Sequence, residues 1–271
     1  MALNSEPKTM LTWQELATSV RWPMIPPQAY LMAAPGITLT AVTSTDTQSM
    51  AHLRAMFEEL FPDYPQYRDA LNLSCEPFSR SHPRTIEHVW LVKHDDQPIG
   101  LRIFSYILGH NFGHGGFIGL IPAKQGQGIG RWLISMTQAQ LALDAFYLGS
   151  EPPAGYTAEV EPLEGSHHAT SRDLLLARTS FHQRCGARRF DVTYFEPLIM
   201  PGDAQPSISN QTIQPMNLIF YAREAGYTPS LEQLEAMIKA IYRDVYQLPP
   251  DSPLEQQALA SLDGKVRYAQ F

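Results

Sequence analysis

Basic charge, cysteine and long apolar runs are all scarce in this chain. Lys plus Arg number 20 against 27 Asp plus Glu, which gives a formal net charge of -7 and a pI near 5.7. Neutralising phosphates takes a basic surface, so this balance argues against a nucleic-acid binder and suits a neutral or cationic partner. The two cysteines, Cys75 and Cys185, have no Cys-x-x-Cys spacing, which excludes a zinc framework and a disulfide-rich scaffold. No run approaches the roughly 18 apolar residues of a membrane span. The first thirty residues lack a basic start followed by an apolar stretch. The expectation is a cytoplasmic protein without a membrane partner.

What is present is 44% apolar content over 271 residues, enough for one main core with extensions. Residues 1–36 read as an arm: Thr12 and Glu15 make a capping box before Leu16, and Pro26, Pro27 and Pro35 follow. "GITLTAV" alternates as a strand does, and Asp46 caps a helix with the stripe Met50, Leu53, Phe57 and Leu60. "HVWLVKH" and "QPIGLRIFSYIL" are strands joined at Asp95-Asp96, "GHNFGHGG" is a second turn, and "FIGLIP" is the next strand. A helix runs on from Gly130, "YTAEVEP" is a strand, and the helix "RDLLLARTSFHQRCG" stops at Gly186. "RRFDVTYFEPLIM" and "PMNLIFYAR" finish the sheet. Two tail helices are capped by Thr228 or Ser230 and by the box Ser252-Pro253-Leu254-Glu255.

The stretch "PAKQGQGIGRWL" sets three glycines before a helix. Amides in a first helical turn lack intrahelical partners and carry the positive end of the dipole, so bare backbone there makes an anion site. No Gly-Lys-Ser/Thr follows, and the last glycine comes too early for the dinucleotide fingerprint. Nucleoside triphosphates and NAD are therefore poor ligands for it. The same glycines also suit a tight strand-to-helix turn.

In register, Gln125, Gly126, Gln127, Gly128, Ile129 and Gly130 resemble the acyl-CoA loop of the GNAT N-acetyltransferase superfamily, Gln/Arg-x-x-Gly-x-Gly/Ala. Further on, "ARTSFHQRCGARRF" resembles the family's Phe-Tyr-x-x-x-Gly helix end. The resemblance spans residues 37–200. It implies an α/β (α+β) GNAT acyl-CoA N-acyltransferase fold: a central mixed, mostly antiparallel sheet flanked by helices. Residues 1–36 then form an N-terminal arm, and 201–271 a C-terminal strand and helices that complete or cap the domain. The implied activity is transfer of acetyl from acetyl-CoA to the amine of a small molecule, by direct attack in a ternary complex. The loop residues, with Arg131 adding charge, hold the pyrophosphate of coenzyme A. The pantetheine lies between "GFIGLIP" and "YTAEVEP", and a bulge frees a backbone N–H near Leu120 for the thioester oxygen.

For proton transfer the resemblance points to Glu159, on the strand position where family members can place a base, with Glu161 on the same face. His182 stands where the family usually has tyrosine, and an imidazole near its ordinary pKa of about 6.5 can donate a proton. Both carboxylates also read as ordinary exposed strand residues, and His182 as a packing replacement. A non-catalytic acyl-CoA sensor or scaffold, or an enzyme acting on another acyl thioester, therefore stands as the alternative. His110, His114, His167 and His168 have no acidic or cysteine partner at a known spacing, so no metal is expected. Cys185, before a helix-ending glycine, reads as a buried structural thiol. The two ends of the chain cap the sheet, shape the acceptor site or build a homodimer contact, three roles the sequence leaves open.

Overall fold

Asp95 and Asp96 take left-handed backbone angles, φ 48° and 63°, the geometry that turns one strand tightly into the next. They join β2 (Thr85–His94) to β3 (Gln97–Ile107), which pair antiparallel. The computed structural model describes residues 25–27, 29, 36–75, 84–164, 171–197 and 213–271. The expected helix near Thr12 and the histidines 167 and 168 lie outside the described residues.

β1 (Ile37–Ala41) pairs with β2. Between them in sequence come α1 (Thr47–Leu60), capped by the Asp46 side chain on the Ser49 amide, and α2 (Pro65–Ser74). β4 (Phe112–Leu120) then pairs antiparallel with β3 and parallel with β5 (Gly155–Val160). The β4–β5 crossover is α3 (Ile129–Tyr147). After α4 (Arg172–Arg184) come β6 (Arg188–Phe190), β7 (Tyr194–Pro197) and β8 (Ile213–Ala222). α5 (Leu231–Ala240), α6 (Pro253–Ala260) and β9 (Tyr268–Ala269) end the chain. Among the described residues the sheet has nine strands in the order β1-β2-β3-β4-β5-β8-β6-β9, with β7 on β8.

Three apolar clusters hold this sheet. Met50, Leu53 and Phe57 of α1 pack on Val89, Leu91 and Ile103 across one face. Ile129, Leu133 and Met136 of α3 pack on Trp90, Phe104 and Tyr156 across the other, with Phe181 of α4 beside them. α5 and α6 cover β8 through Leu234, Ile238, Leu254 and Ala258. The tail from 213 thus supplies a strand inside the sheet as well as helices over it.

Two boundaries differ from the sequence reading. β4 begins at Phe112, so Gly113, His114 and Gly115 belong to the strand and the turn is shorter than "GHNFGHGG" implies. The reason is cross-strand pairing: Gly113 and Gly115 sit opposite Tyr156 and Ala158, and a Cβ on Gly113 would stand 2.4 Å from Leu141 of α3. The helix after Ser230 ends at Ala240 and continues as a π-helical turn over Ile241–Val245.

Candidate active site

The glycine loop is built to present its amides. Pro122–Lys124 form a 3-10 turn after β4, and Gly126 and Gly128 take φ of 73° and 82°, which side chains resist. Gly128 is the N-cap of α3. No protein acceptor among the described residues takes the N–H groups of 126–131; the first bond of the helix is Trp132 N–H to the Gly128 carbonyl at 3.0 Å. Gln125 Nε2 donates to the Leu120 carbonyl at 2.9 Å and Gln127 Nε2 to the Ala123 carbonyl at 3.0 Å, bracing the loop from its own sides. A Cβ on Gly126 or Gly128 would meet nothing within 4 Å, whereas one on Gly130 would lie 2.7 Å from Phe181 Cε2. The first two glycines therefore serve backbone shape, and the third serves the contact between α3 and α4. Arg131 turns away from the loop, its Nη2 donating to the Arg184 carbonyl at 3.0 Å.

β4 and β5 pair only at Gly113–Tyr156, His114–Thr157 and Gly115–Ala158, then part. From Gly116 onward the edge of β4 toward β5 has no strand partner. The β3–β4 register slips between Arg102, opposite Ile118, and Phe104, opposite Gly115, so the bulge falls at Gly116–Phe117. It does not fall at Leu120, which pairs with Gly100 and whose carbonyl is taken by Gln125. Ile103 and Phe117 keep their carbonyls satisfied by Arg102 Nη1, at 3.1 and 3.3 Å.

A cavity of about 240 Å³ opens at this split and is lined from both faces of the sheet. Strand alternation sorts its walls. Tyr156, Ala158 and Val160 cluster with the apolar face of α3, while Thr157 and Glu159 point to the other side of the strand, toward His114, Tyr194 and Tyr246. On that second face three buried carboxylates converge. Glu161 is held by Arg178 and by the Tyr64 hydroxyl at 3.1 Å. Glu159 accepts from the Tyr194 hydroxyl, from the Tyr246 hydroxyl at 2.5 Å, and lies 3.7 Å from His114 Nε2. Glu196 of β7 accepts from the Tyr67 hydroxyl at 2.5 Å. Phe117, from the bulge, packs edge-on against Tyr64 and Tyr67.

The carboxylates are not equivalent. Burial raises the pKa of Glu159, but His114 and the two phenols outweigh it and hold the carboxyl below its ordinary range. Glu196 has Tyr67 and Tyr246 as donors but Glu159 and Glu161 as acidic neighbours; burial first, then repulsion from Glu159, push it up to about 8. The family resemblance points to Glu159, yet the carboxyl with the stronger basicity is Glu196.

On the opposite wall His182 of α4 is buried, and its Nδ1 lies 2.5 Å from the Tyr221 hydroxyl of β8. Burial, then the charges of Arg102 and Arg178, lower the imidazole to about 3. The expectation of an imidazolium acid near neutral pH is therefore corrected: this histidine is neutral there. Tyr221 stacks on Tyr156 with ring centroids 4.7 Å apart, so a phenol stands beside the position where the family motif has one, delivered from a different strand. Sequence reasoning missed Glu196, Tyr221 and the placement of His114; their only sequence signal is polarity inside apolar strands. Cys185 is partly exposed, with a thiol pKa raised by burial. His110 is far from this cavity in role, lying 3.3 Å from Asp244. Among the described residues no group of three or more His, Cys, Asp or Glu is arranged to hold a metal.

A mostly antiparallel sheet split at its parallel pair, with a glycine loop leading from one arm of the split into a helix, is the GNAT fold. Residues 50–149 match the model of the Acetyltransferase (GNAT) family. No curated protein matches the chain. Among solved structures, a Bacteroides thetaiotaomicron protein assigned to the GNAT acetyltransferases aligns with 78% of this chain and 99% of its own at 19% identity, TM-score 0.51. One from Desulfovibrio desulfuricans aligns with 69% of this chain and 98% of its own at 14% identity, TM-score 0.46. A GNAT family acetyltransferase from Elizabethkingia anophelis, solved with acetyl-CoA bound, covers 70% of this chain and 99% of its own at 14% identity, TM-score 0.39.

Proposed function

We propose that the protein is an acyl-CoA-dependent N-acyltransferase that moves acetyl from acetyl-CoA to the amine of a small cationic molecule by direct attack. The observation that carries this reading is the cavity through the sheet: it opens at the strand split and is lined by buried carboxylates and tyrosines, and the strand at its edge runs on into the free-amide loop.

In this reading the amides of residues 126–131 and the dipole of α3 hold the pyrophosphate. The unpaired edge of β4 beyond Gly116 carries the pantetheine and supplies a donor to the thioester oxygen as charge develops there. The acceptor enters from the α1–α2 face, where Glu159 and Glu161 favour a cation and Tyr64, Tyr67 and Phe117 enclose it. Glu196 takes the proton of the incoming ammonium, since a base with pKa about 8 is matched to that task. Glu159, whose carboxyl His114 and two phenols hold below the ordinary range, anchors the cation. With its proton on Nδ1, neutral His182 donates to Tyr221 Oη and leaves the phenol proton free to stabilise the departing thiolate.

Calorimetric titration with acetyl-CoA and with free coenzyme A tests the reading, followed by a screen of mono- and diamines for thiol release. Binding of both and turnover with a cationic amine is the expected result. Absence of binding by folded protein would mean that the glycines form only a turn.

A further inference from the structure

Arg102 is fully buried, 1% exposed, and no carboxylate among the described residues pairs with it. Nε donates to Thr137 Oγ1 at 3.0 Å and Nη1 to the two bulge carbonyls. Nη2 has no partner. Its nearest charge-compensating neighbours are aromatic: the guanidinium carbon is 5.2 Å from the Phe104 ring centroid and 5.6 Å from that of Tyr156. The Tyr156 hydroxyl is likewise buried without a hydrogen bond of normal length, and it lies beside the Arg102 guanidinium.

Both residues line the cavity beneath Gly115–Ala158, the last pair before the strands part. A Cβ at Gly115 would stand 2.8 Å from Arg102 Nη2 and 3.3 Å from the Ala158 Cβ, so the glycine is what lets the guanidinium lie at this point of the split. A buried guanidinium needs a counter-charge, and backbone carbonyls with aromatic faces supply only part of one. Two buried donors without a counter-charge, one of them cationic, side by side in the lining of a cavity have the chemistry of a carboxylate site.

We propose that Arg102 Nη2 and Tyr156 Oη form a subsite for a carboxylate at the end of the acyl chain, so that the enzyme takes thioesters of short dicarboxylic acids as well as acetyl. The proposal rests on the reading that a coenzyme A thioester occupies the strand split, since that places the acyl group at the split's inner end. The transfer itself is unchanged: Glu196 takes one proton from the ammonium, the amine nitrogen bonds the acyl carbon, the carbon–sulfur bond breaks, and the second nitrogen proton passes to the departing sulfur, giving amide and free thiol. The terminal carboxylate takes no part in bond changes and is held throughout.

Titrating the full-length protein with coenzyme A, acetyl-CoA, malonyl-CoA and succinyl-CoA tests it. Malonyl-CoA or succinyl-CoA is expected to bind about tenfold more tightly than acetyl-CoA. In Arg102→Gln and in Tyr156→Phe the ratio of the two affinities should collapse toward one. Circular dichroism establishes that each variant folds, and Tyr156→Phe, which removes a single buried oxygen, carries the test if Arg102→Gln does not fold. Acetyl-CoA binding as tightly as both dicarboxylic thioesters, or a preference that survives both substitutions, would overturn the proposal and leave the transferase reading standing. Failure of coenzyme A itself to bind overturns both.

Discussion

The imidazole of His182 and the hydroxyl of Tyr221 stand 2.5 Å apart, one from α4 and one from β8, and together they close the wall of the cavity behind the split. Because the imidazole is neutral down to about pH 3, His182 acts on Tyr221 by orientation and not by titration. Tyr221→Phe is expected to lower kcat about 100-fold with little change in KM for the thioester, the size of effect typical of a lost proton donor. Steady-state thiol release measures this. A pH–rate profile of the wild type should show no limb near 6.5; a limb there that vanishes in His182→Gln would restore the histidine as an acid.

Glu196 makes the pH dependence specific. As its carboxyl loses its proton near pH 8, the base form appears, so kcat/KM should rise through about pH 8 and Glu196→Gln should remove that limb. Stability runs the other way. The folded pKa lies above the ordinary 4.5, so the folded state holds the extra proton between 4.5 and 8, and its contribution is full below 4.5 and lost as pH rises to 8. Glu196→Gln should therefore match the wild type at pH 4 and exceed it by about 1–3 kcal/mol at pH 9. Urea melts at the two pH values decide it; equal stability at both would mean that the carboxyl is not desolvated as the structure has it.

Much of the fold was legible because its signals are local. The Asp46 cap, the Asp95-Asp96 turn, the capping box at Ser230 and the loop before α3 all operate within a few residues. The site was legible only where a motif carried it. Glu196 meets Glu159 and Tyr67 through the pairing of β7 with β8 and the packing of α2, and neither partner is near it in sequence. His114 was hidden by glycines that look like a turn but serve strand packing against Leu141 and Arg102. Arg102 did leave a trace, a lone charge inside "QPIGLRIFSYIL", but its partners come from β4 and α3. Gly130 matched the motif for one reason and is required for another.

α3 must be held in place for its first turn to be useful, and a buried pair does so. His88 Nε2 of β2 lies 2.9 Å from Asp144 Oδ2, both side chains at most 1% exposed, and Gln140 donates to the other oxygen at 2.9 Å. Removing one partner strands the other in the core. Asp144→Ala is expected to cost about 3–5 kcal/mol in urea denaturation, while His88→Leu with Asp144→Leu should recover most of that, because apolar groups replace both. If the double substitution costs as much as the single, the pair is contributing net stability beyond its own desolvation.

The glycines of the loop separate by their surroundings. Gly128→Ala places a side chain at φ 82° with open space around it, so the cost is backbone strain of about 1–2 kcal/mol, and any relaxation of φ turns the amides out of line. Gly130→Ala keeps helical geometry, where alanine gains about 1 kcal/mol over glycine, but its Cβ would meet Phe181 at 2.7 Å and force α3 from α4 at about 1–3 kcal/mol. A second change, Phe181→Leu, should therefore offset the loss in Gly130→Ala and do nothing for Gly128→Ala. Coenzyme A affinity should fall more than tenfold in Gly128→Ala and return with Phe181→Leu only in the Gly130→Ala background. Urea melts and calorimetry on the four proteins measure both quantities, and rescue of Gly128→Ala by Phe181→Leu would show that the left-handed residue, too, acts through helix packing.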